Sequence, residues 1–305
     1  MRYGVMLDLS KSIDGLVEEA RSLHEKGFAS AWSPQVFSWE ALTVFAIVGR
    51  EVPGIELGTG VIPVYPRHPL ILAGQALTTQ AATGNRLLLG IGLSHQIVVE
   101  GAWGYSYDRP ARYMREYLEI LLPAMRREQV SFQGEVLKGT TFGPLGIPVD
   151  TPPPVLLAAL APVMLKLAGS RTDGTVTWMT GPATLDSHIV PSITKAADEA
   201  GRAAPRVVAA LPIAITNDID AAREKAGRDY AIYDTLPSYK AMLDKEGAGG
   251  PADVAIVGDE STIEKELSRL ADAGVTDFVA TRAGTKDEWE RTIDFLGERA
   301  GATTA

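Results

Sequence analysis

Residues 55–96 constrain the fold of this chain more than any other stretch. Residues 55–62 and 86–91 are apolar and rich in branched side chains, and they lack the alternation of a solvated strand, which predicts two strands buried on both faces. Between them, Pro69 opens a pattern with helical spacing, and Gly84 marks its end. Two buried strands joined by one helix form a parallel unit with a right-handed crossover.

The same alternation of apolar strands and helical patterns continues through the chain. We predict eight strands, at residues 2–8, 28–32, 55–62, 86–91, 155–159, 174–178, 206–214 and 275–281. Eight buried strands alternating with helices in 305 residues predict a (β/α)8 barrel of the α/β class, as one domain over residues 1–305. An open doubly wound sheet is the alternative, but it would require a glycine-rich phosphate loop after the first strand, where the sequence reads Asp8-Leu9-Ser10.

Two stretches interrupt this alternation. Residues 96–153 contain an aromatic and glycine-rich loop, a helix that begins near Pro110, a hairpin, and the run GPLGIPVDTPPP, which proline keeps out of regular structure. Residues 218–250 have irregular helical patterns and end in GAGG. We expect an excursion and a helical insertion within one domain rather than linkers, because strands and helices resume directly afterwards.

Composition and charge exclude several classes of function. The chain has no cysteine, which excludes disulfides, thiolate catalysis and cysteine-bound zinc or iron–sulfur clusters. Its formal net charge of −9 argues against nonspecific nucleic-acid binding, which requires clustered positive charge. The sequence has no run of membrane-spanning length and no signal-peptide pattern at its start. We expect a cytoplasmic protein without membrane or nucleic-acid partners, and without a metal, because no His, Asp and Glu residues have ligand spacing.

Small and polar residues follow the third and fourth predicted strands, at the end of a parallel sheet where ligands collect. Gly60 and Val61 end the third strand, and a glycine there lets a planar ring approach the main chain. Ser94 and His95, a hydroxyl and an imidazole, follow the fourth strand. These four residues predict a ligand site, although a plain glycine in a buried strand is the alternative for Gly60.

The chain resembles the luciferase-like flavin and deazaflavin oxidoreductases, and among them the members that use the deazaflavin coenzyme F420. The resemblance is strongest in the run GTGVIPVYPRHPLILAGQALTTQAATGNRLLLGIGLSH, with support from AWSPQVFSWEAL, DRPARYMREYLEIL, PVLLAALAPVMLKLAGSRTDGTVTWMTGP and GVTDFVATR. It implies a barrel, usually a homodimer, with the coenzyme ring at the carboxyl ends of the strands. It also implies a non-proline cis peptide bond between Gly60 and Val61 behind the ring. Ser94, from its place after the fourth strand, is a further candidate coenzyme contact.

The resemblance also implies the chemistry. Deazaflavin has a carbon where flavin has its central nitrogen, so it carries a hydride, and the protein supplies binding, orientation and a proton. Deazaflavin relatives have an Asp-His pair after the second strand and a carboxylate after the fourth, whereas this chain has Gln35 and His95 at those places. His95 is the candidate general acid, because imidazole titrates near neutrality, and a surface histidine is the alternative. Gln35 is a candidate to hydrogen-bond the substrate or the ring edge.

The phosphate-bearing tail of the coenzyme is expected near the fifth and sixth strands, where amides at helix starts face outward. Ala161 and Val163 are the candidates after the fifth strand, and Thr180 and Gly181 those after the sixth, with ordinary helix caps as the alternative. Arg67, after the third strand, is a candidate to pair with an anionic tail or substrate, or else an exposed arginine.

Three functions fit these patterns. The first is an F420-dependent reductase or dehydrogenase that transfers a hydride between the coenzyme and a small organic substrate such as an enone, imine, alcohol or aldehyde. The second is an FMN-dependent monooxygenase supplied by a separate reductase. The third is a barrel that binds coenzyme or ligand without catalysis, because the Asp-His pair of relatives is missing.

Overall fold

A computed structural model describes residues 1–304 of the chain, with side chains for residues 1–302. Strands alternate with helices along the chain, and the fold is the predicted (β/α)8 barrel. The strands are β1 (Arg2–Met6), β2 (Ser30–Ser33), β3 (Glu56–Thr59), β4 (Ile62–Pro63), β5 (Leu87–Gly92), β6 (Ser131–Gln133), β7 (Lys138–Thr140), β8 (Val155–Leu157), β9 (Gly174–Trp178), β10 (Arg206–Ile215), β11 (Ile256–Gly258) and β12 (Asp277–Arg282).

The helices follow the strands in the order expected for this fold. They are α1 (Ile13–Glu25), α2 (Ala41–Glu51), α3 (Pro69–Ala82), α4 (Gln96–Gly101), α5 (Pro110–Met125), α6 (Pro162–Arg171), α7 (Pro182–Thr184), α8 (Val190–Glu199), α9 (Ile219–Asp229), α10 (Ile232–Thr235), α11 (Pro237–Glu246), α12 (Pro251–Val254), α13 (Glu260–Asp272) and α14 (Lys286–Thr304). A π-helical turn, Leu185–Ile189, joins α7 to α8. Within residues 1–304 no helix is long and apolar enough to cross a membrane.

The chain divides into two compact units, of which the first contains Met1–Met6, Arg21–Trp32 and the chain from Ala159 onward. In this unit β10 pairs in parallel with β9, β11 and β12, and β1 pairs with β12 and β2. Every residue of β10 after Arg206 is buried, as its unbroken apolar run predicts for a central parallel strand. The short strand β11, which the sequence patterns did not predict, lies beside the carboxyl end of β10.

The second unit contains Leu7–Ala20 and Ser33–Ala158. In it β5 pairs in parallel with β3 and β8, and β4 pairs with β5 beyond the end of β3. Gly58 pairs with Leu88, and Ile62 pairs with Ile91. The chain takes four residue steps from Gly58 to Ile62 but only three from Leu88 to Ile91. One strand therefore has an extra residue, a β-bulge at residues 60–61 that divides the predicted third strand into β3 and β4.

A buried carboxylate fixes the excursion that follows β5. Glu116 on α5 is only 6% exposed, and its carboxylate accepts N–H groups from Glu135 at 3.0 Å, Val136 at 2.9 Å and Leu137 at 2.8 Å. These amides belong to the turn between β6 and β7. Burial alone would raise the pKa of Glu116, but the three backbone hydrogen bonds outweigh it and hold this pKa below 4.5. The hairpin is thus anchored to α5 by an ionised group.

Replacing Glu116 with glutamine is expected to lower the free energy of unfolding by about 2–4 kcal/mol, because hydrogen bonds to a charged acceptor are lost and buried amides remain. The contribution of Glu116 is present above pH 4.5 and is lost as the pH falls through the lowered pKa. Urea denaturation at pH 7 and below pH 4 measures both effects.

The control is Glu128→Gln, because Glu128 is exposed and pairs with Arg126 on the surface. This control is expected to leave the denaturation midpoint unchanged. Equal midpoints for the Glu116 and Glu128 variants would contradict the anchoring role of Glu116.

Candidate functional site

The bulge between β3 and β4 contains a cis peptide bond between Gly60 and Val61, which confirms the bond that the resemblance implied. The Gly60 N–H donates to the Ser33 carbonyl at 2.9 Å, and the Gln35 N–H donates to the Val61 carbonyl at 3.3 Å. Backbone hydrogen bonds therefore join the bulge to the end of β2 and to the segment that follows it. Gly60, Val61 and Gln35, three of the predicted site residues, are brought together at this point.

Two glycines of β5 provide the space for the bulge. A Cβ atom on Gly90 would lie 1.9 Å from the Thr59 carbonyl oxygen, and one on Gly92 would lie 2.8 Å from Val61 Cγ2. The Thr59 hydroxyl donates to the Gly90 carbonyl at 2.8 Å and accepts the Gly90 N–H at 2.8 Å. This hydroxyl satisfies backbone groups that an uninterrupted strand pairing would satisfy. Gly90 permits a close backbone approach that no other residue type allows, and Gly92 leaves room for the Val61 side chain.

Ser94 and His95 lie two and three residues after β5, in the same unit as the bulge. Ser94 adopts a left-handed backbone conformation with φ of 61°, which turns the chain out of the strand. His95 has extended backbone angles before α4, and its half-buried side chain makes no capping hydrogen bond to that helix. Burial lowers the pKa of the His95 imidazole below 6.5, so the neutral ring predominates at neutral pH.

A stack of tyrosines lies behind these residues. The Tyr65 ring is stacked on that of Tyr113 at a centroid distance of 4.2 Å and on that of Tyr107 at 5.6 Å. The Tyr107 hydroxyl donates to the Ser94 carbonyl at 3.2 Å and so fixes the turn after β5. The Tyr65 hydroxyl is buried without a hydrogen-bond partner. The sequence analysis missed Tyr65, although its position two residues after β4 is a signal that could have identified it.

A cavity of about 350 Å³ lies beside the bulge. Its walls come from the segment after β2, from β4 and the residues after it, and from the segment after α4. It is lined by Gln35, Val36, Phe37, Pro63, Pro66, Arg67 and Trp103. The rings of Phe37 and Trp103 meet edge to face with centroids 6.3 Å apart. The volume lies at the lower end of the range for small-molecule sites.

The polar groups of this cavity already have protein partners. Arg67 Nη2 lies 3.0 Å from Glu40 Oε1, and the side-chain oxygen of Gln35 accepts the Ala41 N–H at 3.2 Å. Glu40 is also the N-cap residue of α2, where its carboxylate accepts backbone N–H groups. The sequence analysis named Arg67 and Gln35 but missed Glu40, although an acidic residue directly before a helix is a recognisable cap.

Two of the residues predicted for the coenzyme tail lie at the start of α6, in the first unit. Ala161 is the residue before this helix and makes no side-chain cap, and Val163 is 57% exposed within the first turn. An N–H group in a first helical turn has no partner within its own helix. The role of these two amides remains a prediction. Within residues 1–304, no group of three or more His, Asp or Glu side chains could hold a metal ion.

The other two tail candidates lie after β9, also in the first unit. The Thr180 hydroxyl donates to the Trp178 carbonyl at 3.2 Å, and Gly181 is the residue before α7. The Glu246 carboxylate accepts the N–H groups of Ala183 at 3.0 Å and Thr184 at 2.7 Å. A carboxylate of the 218–250 segment thus occupies amides at this helix start. The roles of Thr180 and Gly181 toward a phosphate remain predictions.

The chain matches a protein family and several known proteins. The family profile described as luciferase-like monooxygenase matches residues 1–303. A 5,10-methylenetetrahydromethanopterin reductase of Methanolobus tindarius is 26% identical over 305 residues, covering 97% of this chain and 90% of the relative. An F420-dependent glucose-6-phosphate dehydrogenase of Nakamurella multipartita is 26% identical, covering 83% of this chain and 77% of the relative.

The same fold is found in the solved structure of the coenzyme F420 dependent tetrahydromethanopterin reductase from Methanopyrus kandleri. The two structures superpose with a TM-score of 0.83 at 22% sequence identity, and the match covers 97% of each chain. At this identity the similarity establishes the barrel fold and leaves the function to the residues of the site.

Proposed function

We propose that this chain, which belongs to the luciferase-like monooxygenase family, is an F420-dependent oxidoreductase. It transfers a hydride between the coenzyme and a small organic substrate. The observation that carries the proposal is the bulge at Gly60 and Val61, which lies opposite two glycines of β5. His95 comes after β5 in the sequence. The relative named as F420-dependent, at 26% identity, supports the choice of coenzyme.

The residues around the bulge fit a planar ring. The absence of a Cβ atom at Gly90 lets the Thr59 backbone lie close to β5, and its absence at Gly92 leaves room for the Val61 side chain. Val61 presents an apolar side chain there, and the buried Tyr65 hydroxyl still has hydrogen-bonding capacity. An apolar surface with few polar groups is the usual environment of a bound aromatic coenzyme. Gly60, Val61 and Ser94 are the residues that would contact it.

F420, when bound, supplies or accepts the hydride, and the chain supplies orientation and a proton. His95 is the proposed proton donor for reduction of a substrate, and the same imidazole accepts the proton in the reverse direction. Gln35, whose main chain bonds the bulge, is the proposed group that orients the substrate. Gln35 and His95 thus stand where deazaflavin relatives have the Asp-His pair and the carboxylate.

Separate titrations with F420 and with FMN test the coenzyme. We expect F420 binding at least about tenfold tighter than FMN binding, which corresponds to about 1.4 kcal/mol. Ring fluorescence of each coenzyme gives the dissociation constants, and reduced F420 with a panel of enones, ketones and imines gives turnover. Tight F420 binding without any turnover would favour the barrel that binds coenzyme without catalysis.

FMN-dependent monooxygenation is the second candidate function, because the matching family profile is described as a monooxygenase. This candidate requires that FMN binds and that F420 does not. Oxygen consumption with reduced FMN, measured beside the F420 assay, separates the two functions. Preference for FMN in both measurements would replace the first proposal with the second.

A further inference from the structure

We infer that the cavity beside the bulge takes an uncharged carbonyl compound with an apolar body, and that the Glu40–Arg67 ion pair excludes anionic substrates. The inference rests on the proposed function and names the substrate class of the same site. It is carried by the cavity lining and by the hydrogen bonds that its polar groups already make.

The apolar part of the lining is exposed to an incoming molecule. Phe37 is 74% exposed and Val36 is 63% exposed, although both belong to the cavity wall. Trp103 meets Phe37 edge to face across the cavity. Pro63 and Pro66 contribute further apolar surface without adding N–H donors. A ligand that covers these side chains gains affinity in proportion to the apolar area it buries.

Gln35 presents a hydrogen-bond donor to the cavity. Its side-chain oxygen faces the Ala41 N–H at 3.2 Å, and only an oxygen can accept that hydrogen. The orientation of the amide is therefore fixed by a backbone donor, and its NH2 group is the part left for a ligand. A carbonyl oxygen of a substrate is the complementary acceptor.

Arg67 offers hydrogen-bond donors to the cavity, and its positive charge is balanced by the negative charge of Glu40. Its guanidinium is 3.0 Å from the Glu40 carboxylate, and its side chain is only 13% exposed. The other Glu40 oxygen accepts the Thr43 N–H at 2.7 Å, so the carboxylate is held in place by α2. A second carboxylate or a phosphate at Arg67 would meet the negative charge of Glu40 at short range, which disfavours anionic ligands.

The same groups disfavour cationic ligands. A protonated amine or imine offers only hydrogen-bond donors. Gln35 and Arg67 likewise offer donors to the cavity. Neither pairing forms a hydrogen bond. A neutral ketone, aldehyde or enone with an apolar body satisfies both the donors and the apolar wall.

Replacing Glu40 with glutamine tests the role of the ion pair. Glutamine keeps a side-chain oxygen for the cap of α2 but removes the negative charge beside Arg67. The probes are benzylideneacetone and its para-carboxylate, titrated by calorimetry into the full chain with and without F420. We expect the wild type to bind the ketone at least about tenfold more tightly than the carboxylate, and Glu40→Gln to remove most of this difference by binding the carboxylate more tightly.

The matched control is Asp259→Asn, which neutralises another N-cap carboxylate, in the first unit. This control is expected to leave both affinities unchanged. Equal affinity of the wild type for ketone and carboxylate would overturn the inference, and so would a Glu40→Gln variant that still rejects the carboxylate.

A second variant keeps the inference testable if Glu40→Gln does not fold. Phe37→Ala removes an exposed ring, so its folding is not at risk, and it is expected to weaken binding of both probes by about tenfold without changing their ratio. Unchanged binding of the ketone would overturn the assignment of the cavity. If F420 turnover is absent but the wild type still discriminates between the probes, the proposed function fails while the charge selection stands.

Discussion

Replacing His95 with alanine is expected to lower the turnover of reduced F420 with a carbonyl substrate by about 10²–10⁴-fold, the range for loss of a positioned general acid. The reason is the position of this imidazole three residues after β5, in the same unit as the bulge, where it makes no capping hydrogen bond to α4. Coenzyme affinity is expected to stay nearly unchanged, because the residues proposed to contact the coenzyme ring are Gly60 and Val61. Single-turnover kinetics and fluorescence titration measure the two quantities separately.

The pH dependence of the reaction follows from the lowered pKa of His95. Burial disfavours the charged imidazolium, so the ring gains its proton only below the ordinary value of 6.5. Carbonyl reduction needs this proton, and its rate is expected to rise as the pH falls and to level below the lowered pKa. The reverse oxidation needs the neutral ring, so its rate is expected to rise with pH and level above that pKa. The alanine variant should lack both pH-dependent limbs.

His68 provides the control within the same unit. Its Nδ1 accepts the Leu70 N–H at 3.3 Å and its Nε2 lies 2.9 Å from the Lys138 carbonyl, so both nitrogens have structural partners. His68→Ala is expected to reduce stability and to keep the pH profile. A His95→Ala variant with full turnover, or a pH profile that follows His68 instead, would contradict the assignment of the general acid.

Replacing Gly90 with alanine is expected to lower the free energy of unfolding by about 3 kcal/mol or more, at the upper end of overpacking penalties. The added Cβ would lie 1.9 Å from the Thr59 carbonyl oxygen, and backbone cannot yield as a flexible side chain does. The two hydrogen bonds between Thr59 and Gly90 would be lost with the displacement. Urea denaturation measures the stability, and F420 titration measures the accompanying loss of coenzyme affinity.

Gly74→Ala is the matched control for this substitution. Gly74 lies within α3, and a Cβ there would have no atom within 4 Å. Alanine is expected to raise the stability by about 0.5–1 kcal/mol, because it restricts the unfolded chain and favours the helix. If the two glycine variants had similar stability, the close approach at the bulge would not be what Gly90 is needed for.

Periodicity in the sequence was sufficient for the fold but not for its details. The predicted strand at residues 55–62 is divided at the bulge, because the extra residue is visible only when β3 and β4 are aligned with β5. The strand β11 has three residues, too few to show a period. The cis bond at Gly60 was expected from family resemblance, since periodicity contains no information about it.

Some of the candidate site residues could be proposed from the sequence, whereas their partners could not. His95 could be proposed from its place after a predicted strand, because the carboxyl ends of parallel strands bind ligands. Gln35 could be proposed only from the resemblance, since it stands where deazaflavin relatives have an Asp-His pair. Glu40 could not be assigned to Arg67, since the pair is separated by 27 residues and only the fold brings them together. Glu246 reaches the Ala183 amide over 63 residues for the same reason.

The order of strands and helices and the barrel class follow from the sequence, because hydrophobic period is a local property of the chain. The partners of each polar group were decided only by the tertiary structure. Arg67 is neutralised by Glu40, and Gln35 presents its amide hydrogens because Ala41 takes its oxygen. Charge and hydrogen bonding act between neighbours in space, and those neighbours exist only after the chain has folded.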